Sequence, residues 1–271
     1  MGYDIPIVSQ DPKLHREVGL MIASTSTLIA ISNIYHSIIM VIHNKHAIFK
    51  LNLVAAVLLL ANSIAQLCAY FISEFPCTWR YLVFTVSLTI SIISLDTILY
   101  LKAKSVQTKP WLITIIYVFL RLLHLVVWVK LLLNIRIIKI GDNSCSSLAR
   151  TYEMLIFIAL ETIIIIYLTV LFLAIIYLQY KESPRTIYSL LLKDGLIFSL
   201  SICFIYFLIT IFQLTNLMSL KDLFSIEWAV SSKIMTDQVW RSHLRHADGL
   251  NPSESACVDA FNMNLTAIEI K

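Results

Sequence analysis

Six apolar runs, each about as long as a bilayer is thick, govern what this chain can become. They are Val18–Ile42, Leu51–Ile72, Tyr81–Leu101, Trp111–Leu133, Tyr152–Leu178 and Leu196–Leu214. A spanning helix needs about 20 mostly apolar residues. A globular fold of 271 residues has too little interior to hide six such runs from water. Charged residues make up 14% of the chain and the mean hydropathy is +0.80, so most of the sequence expects lipid rather than water as its solvent. All six prolines fall outside the runs, and Pro76 and Pro110 each stand just before one, where a missing N–H does no harm. Membrane strands would be short and alternating in polarity, and the runs do not alternate. The expected fold is an all-α, polytopic transmembrane helix bundle.

A seventh segment, Leu220–Trp240, is too charged to partition into lipid alone, with Lys221, Asp222, Glu227, Lys233 and Asp237. Leu223, Ile226, Val230 and Ile234 nevertheless form one helical stripe, so it reads as an amphipathic helix. Its polar face turns either into the bundle, giving seven spans, or into water, giving six spans and a surface helix. The seven-span arrangement is preferred. Lys and Arg then divide ten inside to seven outside when the N-terminus lies outside, with Arg80, Arg136 and Lys221 among the outer set. The expected layout is an outer tail over 1–17, a seven-helix domain over 18–241 and a disordered cytoplasmic tail over 242–271. The first run is too long for the apolar core of a cleavable signal, and neither terminus carries a lipidation motif. A plasma-membrane protein is expected, with an endomembrane as the alternative.

Several function classes lose support at this stage. The net charge of +4 is spread along the chain, so nucleic acid is not an expected partner. Five glycines include no phosphate-binding loop, and neither H-E-x-x-H, C-x-x-C nor Gly-x-Ser-x-Gly occurs. An enzyme, a metal site and a bound cofactor are therefore not expected.

Ionisable residues inside the runs carry the functional interest, because a mid-membrane charge costs at least about 2.5–3.5 kcal/mol unless paired or hydrated. Asp96, Arg121 and Glu161 lie deep in the third, fourth and fifth runs. At a rise of about 1.5 Å per residue, Arg121 and Glu161 both fall roughly 15 Å deep, with Asp96 about 7 Å nearer the inside. That makes Arg121 and Glu161 the preferred pair and Asp96 the competing partner. The group is either a ligand- or proton-responsive centre or a static ion pair that fixes packing. His124 shares a face with Arg121 and reads as its neighbour. The hydroxyls of the third run (Thr85, Ser87, Thr89, Ser91, Ser94, Thr97) mark it as a central helix, with interhelical hydrogen bonds as their expected role. Towards the inner face, Lys102, Lys104, Lys193, Asp194 and Lys233 are the candidates for contact with a signalling partner.

Cys77 precedes the third run and Cys145 lies between the fourth and fifth. Both face the oxidising side in the N-out arrangement, where a disulfide persists. They read either as a bridge pinning the outer loop over the bundle or as two unrelated loop cysteines. This placement resembles the layout of G-protein-coupled receptors. There are departures: the inner end of the third run reads Leu99-Tyr100-Leu101-Lys102-Ala103-Lys104 with no Asp-Arg-Tyr, and the last helix has no Asn-Pro-x-x-Tyr. The stretch Leu190–Phe198, a leucine-rich run ending in Lys193-Asp194-Gly195, resembles the start of helix six in fungal seven-transmembrane proteins of unknown function. Ser231-Ser232-Lys233-Ile234-Met235, followed by Arg241 and Arg245, is similar to their closing segment, with Lys233 in place of Arg. The resemblance implies a receptor-like protein of lipid bilayers, with an unassigned small ligand outside and a heterotrimeric G protein as partner inside. A small transporter or channel using Asp96, Arg121 and Glu161, or a non-catalytic scaffold, is the alternative.

Overall fold

The computed structural model describes residues 11–43, 46–72, 76–105, 110–140, 144–148, 151–182 and 220–247, with scattered positions between 196 and 218. Its helices are α1 (Pro12–His43), α2 (Ala47–Phe71), α3 (Cys77–Ser105), α4 (Pro110–Asn134), α5 (Thr151–Glu182) and α6 (Leu220–Ala247). The described positions from 196 to 214 are helical as well. Five helices, α1 to α5, are long and apolar enough to cross a membrane. They make the chain a helical, multi-pass integral membrane protein by length and composition. Lys193, Asp194 and much of the sixth run lie outside the described residues.

Local chemistry extends the helices beyond the apolar runs. Asp11 accepts the Lys13 N–H at 2.9 Å, and Pro12 opens α1, a capping residue followed by a proline whose N–H would be orphaned anyway. Helix α1 therefore starts at Pro12, inside the stretch expected to be a tail over 1–17. At the other end α6 runs on to Ala247, past the expected boundary at 241.

The all-α expectation is corrected in one place. Arg136–Ile140 and Ser144–Leu148 form an antiparallel hairpin, β1 and β2, in which Lys139 pairs with Cys145. The sequence held the signal: Gly141-Asp142-Asn143 is turn chemistry between two short segments, one rich in isoleucine and one in serine. Strand β1 lies against α3, and β2 against α1 and α6, so the hairpin covers that end of the bundle. Cys77 and Cys145 are joined by a disulfide with a Cα separation of 5.8 Å, which fastens the hairpin to the first turn of α3.

Helix α3 sits at the centre, packed against α2, α4, α5 and α6. The outward faces are apolar, with Leu28, Val126 and Leu133 among the most exposed side chains, as lipid contact requires. Helix α6 reverses the pattern of a surface helix. Its polar residues Lys221, Asp222, Ser225, Glu227, Ser231, Ser232 and Thr236 are all buried, while Ile226, Val230 and Ile234 of the apolar stripe are half-buried. The polar face looks into the bundle. Three rungs fix it there: Gln66 donates to Ser225 at 3.2 Å, Asn33 to Ser232 at 3.0 Å, and Asn52 to both Thr236 at 3.1 Å and Ser37 at 2.8 Å. With lipid tails as apolar as leucine, such interhelical hydrogen bonds take over part of the role that hydrophobic burial plays in water.

Candidate functional site

Arg121, three turns into α4, stands between two carboxylates carried by two other helices. Its Nη1 lies 2.7 Å from Asp96 Oδ2 of α3 and 3.2 Å from Glu161 Oε2 of α5, to which it donates a hydrogen bond. Both carboxylate side chains are 4% exposed, and the guanidinium 16%. The contact with Asp96 is close but off the hydrogen-bond direction, so it is an ion pair rather than a directed bond. The two acids are therefore not alternatives. The residue count from sequence set Asp96 nearer the inside as a competing partner; the long Arg121 side chain reaches both acids at once.

His124, one turn along α4, completes the group. Its Nε2 lies 3.0 Å from Glu161 Oε2, and its Nδ1 lies 3.2 Å from Arg121 Nη1. A guanidinium only donates, so Nδ1 accepts and the ring proton belongs on Nε2, facing Glu161. Two carboxylates thus meet one permanent cation and one imidazole. Glu227 of α6 lies within electrostatic reach of Asp96 and adds to the acidic side.

An aromatic layer closes the cluster towards the hairpin end. Phe157 packs on the His124 ring at 4.5 Å and on Trp128 at 4.8 Å, and Phe224 of α6 meets Phe157 edge-on at 5.3 Å. Trp128 is held by a hydrogen bond of 2.8 Å to Thr89 of α3. Between Thr89, Ile92, Arg121, Trp128 and Phe157 lies a small, mostly apolar cavity of about 50 Å³, large enough for a water molecule or two beside the guanidinium.

The other sequence candidates do not join this centre. Lys102 donates to Gln238 of α6 at 2.9 Å, Lys104 lies over the Tyr100 ring, and Lys233 pairs with Asp237 at 2.7 Å within α6. The hydroxyls of α3 meet the expectation in part. Thr89, Ser94 and Thr97 each bond the carbonyl four residues back; Thr89 also reaches Trp128 of α4, and Thr97 meets Tyr117 of the same helix.

Sequence reading missed a second polar group, at the hairpin end. Arg80 and Lys221, counted there as outer-loop charges, are each only 3% exposed, and both sit over the ring of Tyr70, at 4.4 and 5.8 Å from its centroid. His15 and Asp222 lie beside them, 3.9 Å apart. The missed signal was position: each of these charges falls in the first turn of a helix rather than in the loop before it. Among the described residues no group of His, Cys, Asp and Glu is arranged to hold a metal ion. Comparison with protein-family models, with curated proteins and with solved structures finds no match for this chain.

Proposed function

We propose that this protein is a non-catalytic, receptor-like membrane protein of seven helices with its N-terminus outside, passing an outer signal to its inner loops. The observation that supports the reading best is the Cys77–Cys145 bridge. It ties the hairpin over the bundle to α3, the helix that carries Asp96 into the buried charge centre and Lys102 to the far end. A displacement of the hairpin is thereby delivered to one central helix. The inward polar face of α6 favours counting it as the seventh span, since burying seven polar residues against α1 to α3 suits a bundle and not a surface helix. A small ligand outside and a heterotrimeric G protein inside are the partners this reading requires.

The transporter alternative draws on the same three charges, since midplane ionisable groups mark ion pathways. The aromatic layer over the centre weighs against it. Two measurements separate the readings. In sealed cells, a reporter after Lys271 should resist external protease while a tag before Met1 is cleaved; the reverse pattern ends the N-out arrangement. In proteoliposomes, flux of protons, alkali cations and small carboxylates should match protein-free vesicles. Flux abolished by Asp96→Asn would replace the receptor reading with a transporter.

A further inference from the structure

Among the described residues, the group around Tyr70 carries more positive charge than its partners neutralise. Arg80 stands in the first turn of α3 and Lys221 in the first turn of α6. Both are buried, and all three guanidinium nitrogens of Arg80 lack a hydrogen-bond partner. Among the described residues the Lys221 ammonium has Asp222 as its acidic neighbour, at 3.5 Å and without a hydrogen bond, and the Tyr70 hydroxyl is unpartnered too. Asp222 is the carboxylate that acts on His15, beside Lys221 and Arg80. Among the described residues two permanent cations thus face one acid. Tyr70 supplies a π face to both cations, which is attractive but small against the cost of a buried charge.

Helix ends sharpen the imbalance. The N-termini of α1, α3 and α6 gather here, and each presents partial positive charge, so a cation in the first turn is at the wrong end of its own helix. The C-terminus of α2, just past Tyr70, offsets one of the three. The hairpin and its disulfide lie over this end, and β2 touches both α1 and α6. A buried, positively charged corner with unpartnered N–H groups on all three guanidinium nitrogens of Arg80, others on Lys221 and a tyrosyl hydroxyl is what a small anion requires.

We infer that Arg80, Lys221 and Tyr70 form a binding site for a small monovalent anion, a halide or a single carboxylate, held under the hairpin. The anion accepts from the Arg80 guanidinium, the Lys221 ammonium and the Tyr70 hydroxyl, and it brings the corner to neutrality. Gly19 shapes the same wall. A Cβ there would overlap the Tyr70 hydroxyl, so glycine lets that hydroxyl lie against α1. The site stands on these side chains alone and is independent of which way the protein faces or what it signals.

The test uses the purified full-length protein in nanodiscs, at constant ionic strength, with gluconate progressively replaced by chloride, bromide or acetate. A saturable rise in Tm of roughly 5 °C is expected for at least one of the three small anions. A response to the halides identifies an inorganic ion; a response to acetate alone identifies the carboxylate of an organic ligand. Arg80→Gln and Lys221→Gln should abolish the response, while Lys130→Gln, on the exposed outer part of α4, keeps it. Tyr70→Phe removes one donor and preserves packing, so it covers the case in which the charge variants do not fold. It should raise the half-saturating concentration roughly ten- to hundredfold. A wild-type protein indifferent to all three anions, or a Tyr70→Phe protein with an unchanged titration, overturns the site.

Discussion

Removing Arg121 should cost more than removing either acid it touches, and the reason lies in what remains. Contacts of 2.7 and 3.2 Å put its charge about 4 Å from each carboxylate centre, an attraction of about 4 kcal/mol per pair at an effective dielectric of about 20. Asp96→Asn or Glu161→Gln leaves the guanidinium with one acid still in place, and each should cost about 1–3 kcal/mol. Arg121→Ala takes the permanent cation from both acids, leaving His124 beside Glu161 and no ion-pair partner for Asp96, and should cost about 3–5 kcal/mol. Neutralising the acids as well removes the stranded charges. The triple variant Asp96→Asn, Arg121→Ala, Glu161→Gln should therefore be more stable than Arg121→Ala alone. Denaturation of the detergent-solubilised protein, read by tryptophan fluorescence, gives all the terms of the cycle. A charge swap, Arg121→Glu with Glu161→Arg, should recover little, because the new carboxylate on α4 would face Asp96. If the triple variant is as unstable as Arg121→Ala, the cost comes from lost packing and the electrostatic account of this centre fails.

Three further outcomes follow from other parts of the fold. The Cys77–Cys145 bridge spans a sequence separation of 68, worth about 4 kcal/mol in the chain-entropy model; Cys77→Ser and Cys145→Ser should lower surface expression equally, and the double variant no further. Full alkylation of both thiols in native membranes without reductant would contradict it. Asn52→Ala removes its interhelical hydrogen bonds to Ser37 and Thr236 and should cost about 1–2 kcal/mol in the same denaturation assay, against nearly nothing for exposed Thr215→Ala, whose hydroxyl bonds the local carbonyls of Ile211 and Phe212. Gly19→Ala forces the fully buried Tyr70 aside and should destabilise by about 1–3 kcal/mol, with Tyr70→Phe relieving part of that loss in the double variant.

Hydropathy made the five apolar helices legible, because a run of 20 apolar residues has one stable backbone solution in lipid. The charges at Asp96, Arg121 and Glu161 were legible for the same reason: each breaks a run that nothing local explains. Their mutual arrangement was not, since depth along a helix follows from counting residues but helix rotation and tilt do not. Arg121 therefore reads as choosing between two acids that it in fact bridges. The hairpin was overlooked because ten residues of β structure carry little weight beside six spans. Arg80 and Lys221 were misplaced for a more general reason. Counting basic residues by loop assumes that a charge next to an apolar run faces water, and it has no means of recognising a cation that opens a helix and turns inward.

Helices α3 and α6 meet at three levels. Arg80 and Lys221 share the ring of Tyr70 at the hairpin end; Asp96 feels Glu227 at mid-depth; Lys102 donates to Gln238 at the far end. Arg80 and Lys102 are separated by about 33 Å of continuous helix, close to the full hydrocarbon thickness. Packed helices of this length move as rods rather than flex, so a shift at one level is carried to the others. The hairpin is bonded to the first turn of α3, and the anion site under it joins the first turns of both rods. Filling that site pulls two like-charged helix ends towards a common counter-charge; emptying it lets them separate. The charge centre is positioned to respond, since Arg121 holds α3 to α4 and α5 through single close contacts whose lengths depend on where α3 sits. Cross-linking position 102 to position 238 through cysteines introduced in place of Lys102 and Gln238, whose side chains meet at 2.9 Å between α3 and α6, offers a direct measurement. Its rate should change when chloride replaces gluconate, and lose that dependence in Arg80→Gln. An anion-independent rate would mean that the two ends of the α3–α6 pair are mechanically separate, and the hairpin end would then serve stability alone.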